Sequence, residues 1–222
     1  MLLTLNDPLA SLGGGAPQPF PTDGLLAYWP LDDLTDSSGN GRTLTNAGGV
    51  TFGTGKIGNG AVFDGGQTSY LTRYLSGLSG NFTVSLWMKP TSHASYTGVL
   101  GIDQWQNGLL FRYGSQYDNF YLFNSHKPFV SLTEITEGQW SYVTITGTGG
   151  VYCVYVNAEL RTTGSYSGTF QSNALLNIGE PIAGPSRTFI GTMDSLGIWN
   201  RGLTAREVAN LYNNGAGLDY PA

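Results

Sequence analysis

Cysteine is all but missing from this chain: Cys153 stands alone among 222 residues, so no internal disulfide framework is available. It falls in the strand-like run Val151-Tyr152-Cys153-Val154-Tyr155-Val156, where a thiol serves as a small buried side chain. Histidine is scarce too. His93 and His126 form no H-E-x-x-H pair, and no G-x-S-x-G nucleophile elbow occurs. Charged residues make up only 11% and the net charge is −5, without the basic stripe that nucleic-acid binding needs. No apolar run approaches the roughly 20 residues of a membrane-spanning helix. The opening Met1-Leu2-Leu3-Thr4-Leu5-Asn6-Asp7 lacks a basic n-region and a long apolar h-region, so it does not read as a secretory signal.

Glycine (33), tyrosine (13) and phenylalanine (10) are plentiful instead, the profile of many short strands joined by tight turns. Residues 1–23 stand apart. Gly13-Gly14-Gly15-Ala16-Pro17-Gln18-Pro19-Phe20-Pro21 has no periodicity and reads as an extended arm. Such an arm orders only against a surface, whether its own domain, a sister subunit or a larger assembly.

Residues 24–222 form the domain proper. Gly24–Leu31 reads as its first strand. Further candidates are Ala61–Phe63, Tyr70–Leu71, Phe82–Met88, Gly98–Ile102, Gly108–Tyr113, Phe120–Asn124, Phe129–Thr133, Trp140–Thr146, Val151–Asn157, Leu175–Ile178 and Thr192–Trp199. Asn59-Gly60, Asn107-Gly108 and Gly149-Gly150 are turn signals between them. Leu196, Ile198 and the ring of Trp199 read as core-facing. Thr204 starts a helix by a capping box with Glu207, and Leu203 and Val208 are placed as its hydrophobic staple. Val208, Leu211 and Tyr212 give one apolar stripe, and Asn214-Gly215 stops the helix. The expected architecture is all-β: a jelly-roll sandwich of two antiparallel sheets with a short C-terminal helix.

Several segments carry a family resemblance. They are Ala27-Tyr28-Trp29-Pro30-Leu31-Asp32, Asp36-Ser37-Ser38-Gly39-Asn40-Gly41, Gly55–Gly65, Phe82–Trp87, Trp140-Ser141-Tyr142-Val143, Tyr155-Val156-Asn157 and Ile190–Val208. Together they resemble the laminin-G-like family of concanavalin A-like lectin/glucanase jelly rolls across residues 25–217. Two positions depart from the family pattern: Ala158 stands where glycine is usual, and Ser195 where glutamate is usual.

Metal chemistry is one prospect. The loop Asp32–Gly41 packs three carboxylates and a side-chain carbonyl into ten residues, the hard oxygen donors that Ca²⁺ takes. The resemblance implies a structural calcium held by Asp32, Asp36 and Asn40 together with the late strand residue Asp194. The same residue types also make Asx turns, so both readings stand here. Glycan binding is a second prospect. Trp105, Tyr113 and Tyr117 with Asp103 and Asn107 mix aromatic faces and polar groups, as sugar pockets do. The alternation of Tyr and Phe there equally suits strand packing.

Catalysis finds little support. A retaining glycosidase needs two carboxyls about 5 Å apart on one strand face, whereas Glu134 and Glu137 point to opposite faces. Gly53-Thr54-Gly55-Lys56-Ile57-Gly58 matches a dinucleotide fingerprint, but no buried strand precedes it and no helix follows, so it reads as a turn. Asn81-Phe82-Thr83 is a formal glycosylation sequon.

The expected protein is therefore a non-enzymatic jelly roll, a structural and adhesive subunit of an assembly with glycan-binding potential. Phage head-decoration and tail proteins resemble this fold, which puts it on a virion surface, with residues 1–23 docking onto copies of itself or other subunits. The alternative is an extracellular lectin or carbohydrate-binding module, with a glycoside hydrolase as the remote third.

Overall fold

Period-two alternation builds two antiparallel sheets whose apolar faces meet. The computed structural model describes residues 19–92, 97–103, 108–113, 119–122, 125–128, 135–179 and 188–221, and only the backbone of 113, 119–121 and 125–128. In chain order the strands are β1 (Leu25–Trp29), β2 (Thr45–Asn46), β3 (Thr51–Thr54), β4 (Asn59–Asp64), β5 (Leu71–Ser76), β6 (Phe82–Pro90), β7 (Thr97–Ile102) and β8 (Leu109–Tyr113). They continue with β9 (Asn119–Leu122), β10 (Ser125–Pro128), β11 (Ser141–Thr148), β12 (Val151–Val156), β13 (Glu159–Ser165), β14 (Asn173–Ile178) and β15 (Ile190–Trp199), then helix α1 (Ala205–Tyr212). The first sheet runs β13-β12-β11-β6-β15-β4-β3, with β1 also paired to β15. The second runs β10-β9-β8-β7-β14-β5-β2.

The main core lies between the sheets. Val84, Leu86 and Met88 of β6, Leu196 and Ile198 of β15, and Leu176 and Ile178 of β14 are all buried in it. Gly149 and Gly150, both at positive φ, close the β11–β12 hairpin directly between Thr148 and Val151. The next hairpin turns on Asn157 (φ 52°) and Ala158 (φ 64°), so the residue standing in for the family's usual glycine keeps a left-handed backbone. An L-alanine there is strained by about 1 kcal/mol.

A second apolar cluster sits on the outer face of the first sheet, roofed by α1. Trp199 belongs to this cluster and not to the main core, which corrects the sequence expectation. The cause is the strand period: Leu196 and Ile198 face inward, so Trp199 must face outward. Gly197 makes room for the folded-back indole, since a Cβ there would meet Trp199 at 2.4 Å. Thr204 forms the expected capping box with Glu207, and Leu203 and Val208 are buried as a staple requires. Asn213, at φ 48°, ends the helix one residue earlier than expected. Arg201 clamps this corner through both carboxylate oxygens of Glu207, at 2.5 and 3.1 Å. That hydrogen-bonded guanidinium holds the Glu207 carboxyl down at about 2.

Residues 19–23, the base of the expected arm, lie on this same face. Phe20 is buried between Tyr28, Trp199 and Tyr220, with ring centroids 5.0, 6.1 and 5.1 Å away. The Trp199 indole N–H donates to Pro21 O at 2.7 Å, and the Asn210 amide to Pro19 O at 3.0 Å. The rest of the expected arm, residues 1–18, falls outside the described residues. So does the expected strand Phe129–Thr133, while Ser125–Pro128 before it pairs as β10.

Candidate functional site

The loop between β1 and β2 is organised by one carboxylate. Asp36, buried, accepts from Tyr28 N at 3.1 Å, Ser38 N at 2.9 Å and Arg42 N at 2.8 Å. Asn40 donates to Leu25 O and Leu26 O at 3.2 and 3.0 Å. These two expected metal ligands thus fasten the loop to β1, as Asx-turn chemistry does.

The other two expected ligands meet at a different loop. Between β3 and β4 the chain turns through Gly55–Gly58. Asp194 Oδ2 accepts from Lys56 N at 2.5 Å and Ile57 N at 2.9 Å, while its Oδ1 takes the Ser195 hydroxyl at 2.9 Å. Asp32 Oδ1 accepts from Asn59 N at 2.5 Å. A bulge between Asp194 and Gly197, with Ser195 at φ 52°, accompanies this placement of the buried acid. The glycines of the apparent dinucleotide fingerprint now have a reason. A Cβ on Gly55 would sit 2.4 Å from Asp194 Oδ2, and one on Gly58 2.7 Å from Asp32 Oδ1. Burial pushes the Asp194 carboxyl up to about 6, against the pull of these hydrogen bonds.

The four residues therefore divide into two pairs, each facing backbone. Among the described residues no group of three or more His, Cys, Asp or Glu is gathered to hold a metal ion.

Of the expected glycan residues, Trp105, Asn107 and Tyr117 fall outside the described residues, and Tyr113 is described in backbone only. Asp103, at φ 59°, accepts from Gln171 N at 2.6 Å and Leu175 N at 3.1 Å. It ties the end of β7 to the segment entering β14.

A cleft of about 580 Å³ opens at the β2–β5 edge of the second sheet, where β2 stops after two residues. Asn40 and Arg42 line it from the loop, Arg73 and Tyr74 from β5, and Asn173 from the start of β14. Tyr74 is 59% exposed, the most exposed of the large hydrophobic side chains among the described residues. Arg42 bridges the two sheets: its guanidinium donates to Leu26 O on β1 and, at 3.0 Å, to Ser76 O on β5. The Trp29 indole fixes the loop from beneath, donating to Arg42 O at 2.8 Å. Arg73 reaches Gly41 O at 3.5 Å, and its Nε is buried without a hydrogen-bond partner. Sequence reasoning passed over this site, because an arginine in a polar loop and another in an edge strand look like ordinary solvated residues. The one local signal is an inward position: Arg73 is paired with the core residue Leu176.

Two face-packed antiparallel sheets with a helix closing the last strand define a lectin-type jelly roll. The chain belongs to the concanavalin A-like lectin/glucanases superfamily, whose Laminin_G_3 model matches residues 63–209. Among solved structures it is similar to domain 4 of AbnA, a GH43 extracellular arabinanase from Geobacillus stearothermophilus, in complex with arabinotriose. That likeness has a TM-score of 0.68 and 24% identity, covering 84% of this chain and 97% of that one. It is also similar to the binding domain of Paraclostridial Mosquitocidal Protein 1 (TM-score 0.70, 19% identity, 87% of this chain and 53% of that one). A third is the botulinum neurotoxin serotype D ligand binding domain, in complex with N-acetylneuraminic acid (TM-score 0.68, 18% identity, 86% and 51%). The chain thus spans about half the length of the two toxin domains. These likenesses bear on fold. A comparison with curated proteins gives no match.

Proposed function

We propose that this chain is a non-catalytic carbohydrate-binding jelly-roll module and that the cleft at the β2–β5 edge is its sugar site. The observation that carries the reading is the cleft's make-up. An exposed tyrosine stands beside two amides and two guanidiniums, the mixture of an aromatic face and hydrogen-bonding groups that saccharides require. Its floor is rigid, because Asp36, Trp29 and Arg42 tie the loop to both sheets. Two of the structural neighbours were solved with a saccharide bound, which supports the same reading.

The test is a glycan array followed by calorimetry on wild type and Tyr74→Ala. Binding to a defined oligosaccharide that weakens about tenfold on removing the ring supports the site. Binding that ignores Tyr74 moves the site elsewhere, and an array without signal removes the function.

A structural role in an assembly, such as a virion surface, is a second reading. It draws on Pro19–Asp23, which is anchored on the domain at Trp199 and Asn210. Deleting residues 1–18 then abolishes incorporation while leaving the sandwich folded. Undiminished incorporation defeats it.

A further inference from the structure

We propose that the cleft selects acidic sugars, with a ring carboxylate of the uronate or sialate kind seated on Arg73 beside Arg42. This rests on the carbohydrate-binding reading and names the ligand class of that site. The protein carries net charge −5, yet it places two guanidiniums on one cleft. Neither forms an ion pair among the described residues, where the arginine ion pairs are Arg161 with Glu159 and Arg201 with Asp23 and Glu207. A bound anion neutralises this local excess of positive charge.

The donors are also available. A guanidinium has five N–H groups in a planar fork matched to a carboxylate. Arg42 commits its two terminal nitrogens to backbone carbonyls that join the sheets, so its charge is fixed in place. Arg73 makes one long contact through Nη2, to Gly41 O at 3.5 Å, and no carboxylate pairs with it among the described residues. Its remaining terminal N–H groups are the donors a ligand carboxylate in the cleft can meet. Tyr74, the next residue on β5, lines the same cleft from the outer face of the strand. Arg42 builds the site and Arg73 reads the charge.

The experiment compares trigalacturonate, its methyl ester, 3′-sialyllactose and lactose by calorimetry at low and high salt. The proposal expects one of the two acids to bind at least about tenfold tighter than its neutral counterpart, the gap closing as salt rises. Which acid binds separates a uronate from a sialate source. Arg73→Gln removes the preference, costing the acid about 10–100-fold and the neutral sugar far less, so that the two bind alike. Arg73→Lys keeps the charge without the fork and restores part of it, and thermal melts confirm that both variants fold. Neutral sugars binding as well as acids overturns the charge selection and leaves the carbohydrate reading intact. No binding by any of the four probes at millimolar concentration overturns the proposal, while the glycan array decides the broader reading separately. Acid binding that survives Arg73→Gln overturns the assignment to this arginine.

Discussion

Asp194 offers the sharpest physical test of how the sandwich is held. Its carboxylate is fully buried and grips the Gly55–Gly58 turn through two backbone N–H groups, yet burial outweighs them and raises the carboxyl from 3.8 to about 6. A group whose native value is raised contributes stability that is fully present below the unfolded value and is lost as pH climbs through the native one. The window here runs from 3.8 to about 6, and a displacement of that size amounts to about 3 kcal/mol. Asp194→Asn keeps the shape and one acceptor but cannot titrate. Urea unfolding of both proteins, followed by tryptophan fluorescence across this range, isolates the effect because all other groups cancel in the difference. Wild type should lose about 3 kcal/mol relative to Asp194→Asn between about pH 4 and pH 7. A difference that stays flat, or that grows in wild type's favour with pH, refutes the reasoning. It would mean that the N–H donors overcome burial and that Asp194 ionises as readily as in water.

The opposite sign is expected at Glu207, held down at about 2 by Arg201. Its stabilisation is present above 4.5 and fades as pH falls through about 2, so in urea unfolding Glu207→Gln is less stable than wild type at neutral pH and the gap closes toward pH 2. Ala158→Gly removes left-handed strain of about 1 kcal/mol but adds freedom to the unfolded chain, so a net gain of about 0.5 kcal/mol should appear in thermal melts. Phe20→Ala should cost about 3 kcal/mol of local packing and expose the Pro19–Asp23 segment to limited proteolysis. Calcium titration should leave the melting temperature unchanged, because Asp32, Asp36 and Asp194 already hold backbone N–H groups.

Local chemistry made much of the fold legible in sequence. The Thr204–Glu207 box, the Gly149-Gly150 turn and the alternation of β6 all depend on neighbours within a few residues. Trp199 is buried as expected, but its odd register beside Ile198 turns it to the outer face of the sheet, beneath α1. Asp32 and Asp194 stood out as acids, but their work on a turn more than 130 residues from Asp194 depends on tertiary structure. The cleft was illegible for the same reason. Arg42 and Ser76 meet across 34 residues, and β2 and β3 are too short and polar to announce an edge.

The central claim is that a saccharide sits at the β2–β5 edge, and an amide-resolved NMR titration of the whole chain with a bound oligosaccharide tests it most directly. The account predicts shifts confined to Asn40–Thr45, Thr72–Ser76 and Asn173. Shifts centred on 103–123, with these segments still, would contradict it.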